Sequence, residues 1–310
     1  MISSASKTTS DPSLPERQER VRRFWGLLPA LAIIGVFMVI PMGIVAVYSF
    51  LKANSYGGVF PEFSVAAYRQ FFFELDLDDS LLFNPAYLYI FGRSILLALV
   101  STLICMTISF PVAYYMARQP ENRKNILVML VTIPFWTNLL IRTYCWILIL
   151  RDNGVINNTL LGLGILNEPI PMLYTNFAIL VGLVYTFLPF MILPMYSTLE
   201  KLDVKLFEAA HDLYATRWQL LRRVVIPLSM PGIVAGFVLV FIPALGAFVA
   251  PDLLGGGKNL MIGSLIQLQF SSSRNWPFGA AASLILLALV LISLMLYART
   301  PAAKAGRGLF

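Results

Sequence analysis

The chain has 310 residues, of which 58% are hydrophobic and 13% charged, with a mean hydropathy of +0.76 and a net charge of +7. A soluble domain of this length does not need so much apolar surface, and apolar runs near twenty residues are the signature of membrane-spanning helices. The positive charge is distributed as membrane topology requires, so it does not argue for nucleic acid.

Residues 1–24 are polar and read as a tail. Arg22-Arg23-Phe24 precedes an apolar run, as in a signal sequence. The run Trp25–Leu51 is too long for a signal core, however, and is expected to be an uncleaved first span. Further spans are expected at Ile95–Ala117, Ile126–Leu150, Tyr174–Leu199, Ile233–Val249 and Ala280–Ala298, giving six in a transmembrane domain over 25–298, followed by a tail over 299–310. Sixteen Lys and Arg fall in the two tails, the Arg118–Lys124 loop and the Lys201–Arg223 segment, and five in the alternate loops. The positive-inside rule then places both termini in the cytoplasm. The first outer loop, with Glu62, Glu74, Asp76, Asp78 and Asp79, is expected to pack as an external cap.

Prolines interrupt several spans: Pro134 in the third, Pro189 and Pro194 in the fourth, and Pro243 with Gly246 in the fifth. Such breaks are tolerated where neighbours or water satisfy the freed carbonyls, which suits a bundle around a lined cavity. Pro243 and Gly246, with the Asp252–Gly257 turn, are candidate gate residues. Candidate pathway residues are Trp136, Asn138, Tyr144 and Trp146 in the third span, Tyr185 in the fourth, and Asp252 at the outer mouth. Their aromatic faces suit passage of an amine by cation–π attraction, although packing accounts equally for such rings. Arg142 is a costly charge within a span, expected to face a cavity, a partner or backbone carbonyls; it would repel a polyamine and suit an anion, but is read as structural.

Between the fourth and fifth spans lies a charged island, DVKLFEAAHDLYATRWQLLRRVVIPLSMPG, from Asp203 to Gly232. Asp203 is a candidate N-cap, and Phe207, Ala210 and Tyr214 are expected to share a face. Thr216 to Gln219 has the form of a capping box, with Trp218, Leu221 and Val225 on one face and Pro227 and Pro231 ending the pattern. A short helix–turn–helix at a membrane surface suits docking of another protein.

Several chemistries are missing from the sequence. Gly255-Gly256-Gly257-Lys258 is followed by Asn259 and lacks the first glycine of a phosphate loop, so it reads as a flexible turn. His211 is the sole histidine and has no cysteine nearby, so no metal site is expected, and no nucleophile motif is present. Cys105 and Cys145 read as small hydrophobes inside spans. No span core contains Asp or Glu, which argues against an ion-coupled carrier. Active transport would then need a separate motor.

Glu208-Ala209-Ala210 with Pro227 downstream resembles the EAA motif of bacterial ABC importer permeases. Gly92–Arg118, Ile133–Asn158 and Val240–Gly257 are similar to the first-permease subunits of spermidine/putrescine importers. The resemblance implies an all-α MetI-like permease of six transmembrane helices, resident in the bacterial inner membrane. It also implies a cytoplasmic coupling helix-turn-helix over about 200–231, contacting the ATPase through Glu208, Ala209, Ala210, Tyr214, Arg217 and Pro227. The implied partners are a second homologous permease, two ABC ATPases that carry ATP and Mg, and a periplasmic binding protein. No catalytic step is expected in this chain. The family usually has glycine where Tyr214 stands, at the turn between the two short helices. A polyamine is the implied substrate. Another small solute, such as an opine, amino-acid derivative or organic anion, remains open, as does a passive channel or carrier.

Overall fold

The computed structural model describes residues 26, 28–54, 57–75 and 81–298. The expected tails, 1–24 and 299–310, and Asp76, Asp78 and Asp79 of the outer loop lie outside the described residues. The first helix, α1 (Leu28–Ser49), is long and apolar enough to span, and it widens into a π turn at Gly35–Val39. It leads into two antiparallel hairpins with a short helix between them: β1 (Leu51–Ala53) with β2 (Val59–Phe63), α2 (Ala66–Arg69), then β3 (Phe73–Leu75) with β4 (Leu81–Phe83). Neither hairpin was expected from the sequence.

The centre of the bundle is three long helices. These are α3 (Ala86–Ala117), α7 (Asn176–Glu200) and α9 (Arg217–Gly246). Close approach of α9 to α7 depends on Gly232 and Gly236. A Cβ on Gly236 would lie 2.7 Å from the Met191 sulfur, and one on Gly232 would collide with Thr198 and the Pro194 carbonyl. Two glycines four residues apart on one face let membrane helices pack backbone to backbone. The last long helix, α12 (Trp276–Ala298), packs on α1 and on the hairpin region.

Four elements differ from the sequence reading. The span expected at Ile126–Leu150 is two helices, α4 (Glu121–Trp136) and α5 (Leu139–Leu150), bent by 89° at Thr137-Asn138. Here Thr137 and Asn138 are extended, and the Asn138 side chain accepts from the Leu140 amide to start a new helix. Pro134 therefore does not kink one span; it precedes a complete break. Second, Pro227 and Pro231 do not end the island's helix, which runs on through a π turn at Leu221–Val225 into the fifth span. Pro227 falls in the first turn after that π turn, where a missing amide is tolerated. Third, α3 starts at Ala86 rather than Ile95 and α12 at Trp276 rather than Ala280, each lengthened by a turn or more beyond the apolar run. Fourth, the fifth span ends at Gly246, and a separate short helix, α10 (Val249–Gly255), follows. The remaining elements are α6 (Val155–Gly162), α8 (Val204–Asp212) and α11 (Ile262–Ser271).

Packed cores lie along the whole length of α3. At its start, Phe91 joins Ala67 and Phe71 of the first loop with Ile262, Leu265 and Phe278, so that loop does cap one end of the bundle. At its finish, Ala113 and Met116 pack with Met191, Met195 and Leu199 of α7 and with Ala210 and Leu220 of the island. The hairpin cap and the charged island thus sit at opposite ends of a helix about 48 Å long.

Candidate coupling surface and translocation pocket

The island folds largely as its local chemistry dictates. Asp203 accepts from the Lys205 amide at 3.0 Å and caps α8. Thr216 and Gln219 form the reciprocal capping box that opens α9, at 3.3 and 2.9 Å. Between them Tyr214 adopts φ +54°, the left-handed conformation that favours glycine, and its amide donates to the His211 carbonyl. Tyr214 is 94% exposed, so it leaves the apolar face expected for it; only Phe207 and Ala210 turn toward the bundle. Of the expected Trp218, Leu221, Val225 face, Leu221 and Val225 turn to the core and Trp218 does not. Trp218 is 66% exposed and Leu220 is buried in its place, while the π turn winds more residues per turn and brings Val225 back to the core.

Glu208, Ala209, Arg217 and Pro227 are all exposed, while Ala210 is buried. Around them Leu213, Tyr214 and Trp218 are also exposed, so the island presents both polar and apolar side chains. His211 directs Nδ1 at the Phe207 carbonyl within its own helix.

A second site forms at the α4–α5 break. Arg142 donates from Nη1 to the Pro134 carbonyl at 3.0 Å, and Thr137 Oγ1 donates to the same oxygen at 2.7 Å. The guanidinium lies on the carbonyl end of α4, where the helix dipole favours a cation. Its carbon is 5.5 Å from the centre of the Tyr185 ring, and Trp146 meets that ring edge-on at 5.6 Å. A cavity of about 330 Å³ opens here, lined by Thr137, Arg142, Cys145, Trp146 and Tyr185 among others, with no carboxylate. Cys145 is exposed on this wall, which corrects its reading as a buried residue; Cys105 is buried.

Of the expected pathway residues, Trp146 and Tyr185 come together. Trp136 is 85% exposed and Tyr144 is 55% exposed, and neither lines this cavity: Trp136 ends α4 before the break, and Tyr144, two residues from Trp146 on α5, faces another side of that helix. Asn138 serves as the α5 cap. Asp252 is exposed in the first turn of α10 without capping it through its side chain.

The region expected to act as a gate holds residues that the sequence did not single out. α10 packs closely on α7, where a Cβ on Gly182 would contact Leu254 and Ala250. Tyr174, at φ +61°, donates its amide to the Leu254 carbonyl at 2.9 Å and accepts from Asn259 at 2.8 Å, and its ring lies against Gly256. The Gly255–Gly257 segment is therefore a pinned turn, not a free one. A side chain at Gly246 would meet nothing within 4 Å, whereas one at Gly263 would strike the Gly246 and Ala247 carbonyls. Pro243 is exposed within α9. Positive φ at a tyrosine and contact across a glycine carry no periodic signal, so pattern reading passes over both.

The model of the family "binding-protein-dependent transport system inner membrane component" matches residues 109–301. The chain belongs to this family. It is similar to the spermidine/putrescine transport system permease protein PotB of Escherichia coli K12, with 44% identity over 234 residues covering 76% of this chain and 85% of that protein. The PotB of Haemophilus influenzae is 46% identical over 218 residues, covering 70% and 76%. The inner membrane ABC transporter permease protein YdcU of E. coli is 34% identical over 238 residues, covering 72% and 75%. Among solved structures, a bacterial ABC transporter that imports the acidic polysaccharide alginate superposes with a TM-score of 0.67 at 16% identity, covering 92% of this chain and 99% of that one. That likeness shows the fold, MetI-like and mainly α-helical; the two short hairpins of the first loop depart from the all-α expectation. As a member of the family, the chain is a multi-pass inner-membrane component without catalytic function, and ATP hydrolysis belongs to a separate subunit.

Proposed function

We propose that this chain is the membrane subunit of an ABC importer that brings polyamines such as putrescine or spermidine into the cell. The observation that carries this is the identity to the PotB permeases, which extends over most of both chains. The Trp146–Tyr185 pocket supports it physically. An aromatic ring attracts an amine by about 0.5–2 kcal/mol, enough to guide passage and weak enough to permit release; Trp146 offers such a ring in this carboxylate-free wall, while Tyr185 already carries Arg142 over its ring. Arg142 is held by the carbonyl end of α4, which offsets its repulsion of a cationic solute.

In this reading the island faces the cytoplasm, as do both termini, and Glu208, Ala209, Ala210, Tyr214, Arg217 and Pro227 form or flank the ATPase contact. The complex comprises a second homologous permease, two ATPases holding ATP and Mg, and a periplasmic binding protein. ATP closes the ATPase pair, the island moves with it, and access to the cavity switches from one side to the other. α10 and the Pro243–Gly246 end of α9 form the outer gate. Substrate class is tested by thermal-shift screening of the cognate binding protein, with competition for uptake as a second readout. Stabilisation by putrescine or spermidine supports the proposal; stabilisation only by an opine, amino-acid derivative or organic anion overturns it.

A further inference from the structure

α8 is attached to the bundle unevenly. Ala210 sinks into the core beside Met116 and Leu199, but next to it a cavity of about 460 Å³, lined on α8 by Phe207 and His211, lies between α8 and the ends of α3 and α7. Arg118, the residue that ends α3, bridges that gap. Its guanidinium carbon lies 4.5 Å from the Tyr114 ring centre, one turn back on α3, and 4.4 Å from the Phe207 ring centre on α8. A planar cation stacked between two rings holds both at fixed spacing, which a lysine ammonium cannot reproduce. Six residues on, Lys124 pairs with Glu200 at 3.0 Å, and Tyr196 donates to the same carboxylate at 2.6 Å, joining the start of α4 to the end of α7. The short turn from Arg118 to Lys124 therefore connects α8 to α3, α4 and α7 together. α4 in turn runs to the break at Thr137-Asn138, beside the Trp146–Tyr185 pocket.

We propose that Arg118 is a positioning residue that transmits movement of α8 into α3 and α4, through its stack on Phe207. Without it, α8 can shift within the cavity beneath it while the transmembrane helices stay in place. The inference rests on α8 meeting the ATPase, which is tested separately by ATPase retention in Glu208→Lys.

The test uses the complete complex in proteoliposomes with loaded binding protein, measuring ATP hydrolysed per solute imported. In Arg118→Ala and Phe207→Leu this ratio should rise about tenfold, within the usual span of a coupling free energy, while the ATPases stay bound. Arg118→Lys should fall between those variants and the unaltered protein, and the double variant should be no worse than either single one. The proposal is overturned if hydrolysis and uptake fall in the same proportion, as a purely structural role requires. Should Arg118→Ala fail to assemble, an unchanged ratio in both Arg118→Lys and Phe207→Leu overturns it equally.

Discussion

Tyr214 and Arg142 show how single residues are held against their ordinary preferences. At φ +54° Tyr214 pays the left-handed penalty of a side-chain-bearing residue, yet its ring is 94% exposed and makes no packing contact that would repay it. Tyr214→Gly should therefore stabilise the protein, by up to about 1 kcal/mol, seen as a higher melting temperature in detergent with ATPase association retained. Loss of association would instead show that the ring itself touches the partner. Arg142 is a cation placed where α4 ends and its last carbonyls need donors. Replacing it with alanine leaves the Pro134 carbonyl to Thr137 alone and should cost about 1–3 kcal/mol, with Arg142→Lys recovering part of the loss in the same melting measurement. That Arg142 needs a polar neighbour was legible in the sequence, with a cavity, a partner or backbone carbonyls as the alternatives. Which carbonyl it meets was not, since that depends on where the helix breaks.

At the scale of elements, what the sequence showed well was whatever repeats or caps. The caps at Asp203 and Thr216, the apolar spans and the island between them all form as local chemistry directs. Phase was lost where winding changes. The π turn at Leu221–Val225 shifted the phase between Trp218 and the buried Val225, and the break at Thr137-Asn138 split one expected span into two helices and put Trp136 on a different helix from Trp146. Proline position alone does not distinguish a kink from a break, as the continuous helix through Pro231 shows. Glycine contacts between helices were equally silent. Gly236→Leu should force α9 from α7, cost about 1–3 kcal/mol by overpacking, and lower the yield of monodisperse protein in gel filtration. Gly246→Leu meets open space within the chain and should leave that yield unchanged. Slowed uptake in Gly246→Leu would then report on gating and not on folding.

For the whole molecule, the two ends of the bundle divide the work. The hairpin cap, α10 and the pinned Gly255–Gly257 turn surround one end, the island and the Arg118 stack the other, with the α4–α5 break and its aromatic pocket between them. That arrangement suits a device whose force arrives at one end and whose opening is at the other. Hydropathy and charge were enough to expect the helical bundle, because lipid permits few alternatives, whereas the division between its ends was implied by the EAA resemblance. The small hairpins escaped notice because their strands are three to five residues long and carry no alternation that a short window can resolve.

The central claim is that this bundle moves a polyamine only when an ATPase grips the island. It is tested most directly by spermidine accumulation in vesicles carrying the complete complex, comparing the unaltered chain with Glu208→Lys. The account predicts ATP-dependent accumulation by the first, and loss of both accumulation and ATPase pull-down in the second, with equal membrane insertion. Accumulation without ATP, or undiminished accumulation by Glu208→Lys, would contradict it.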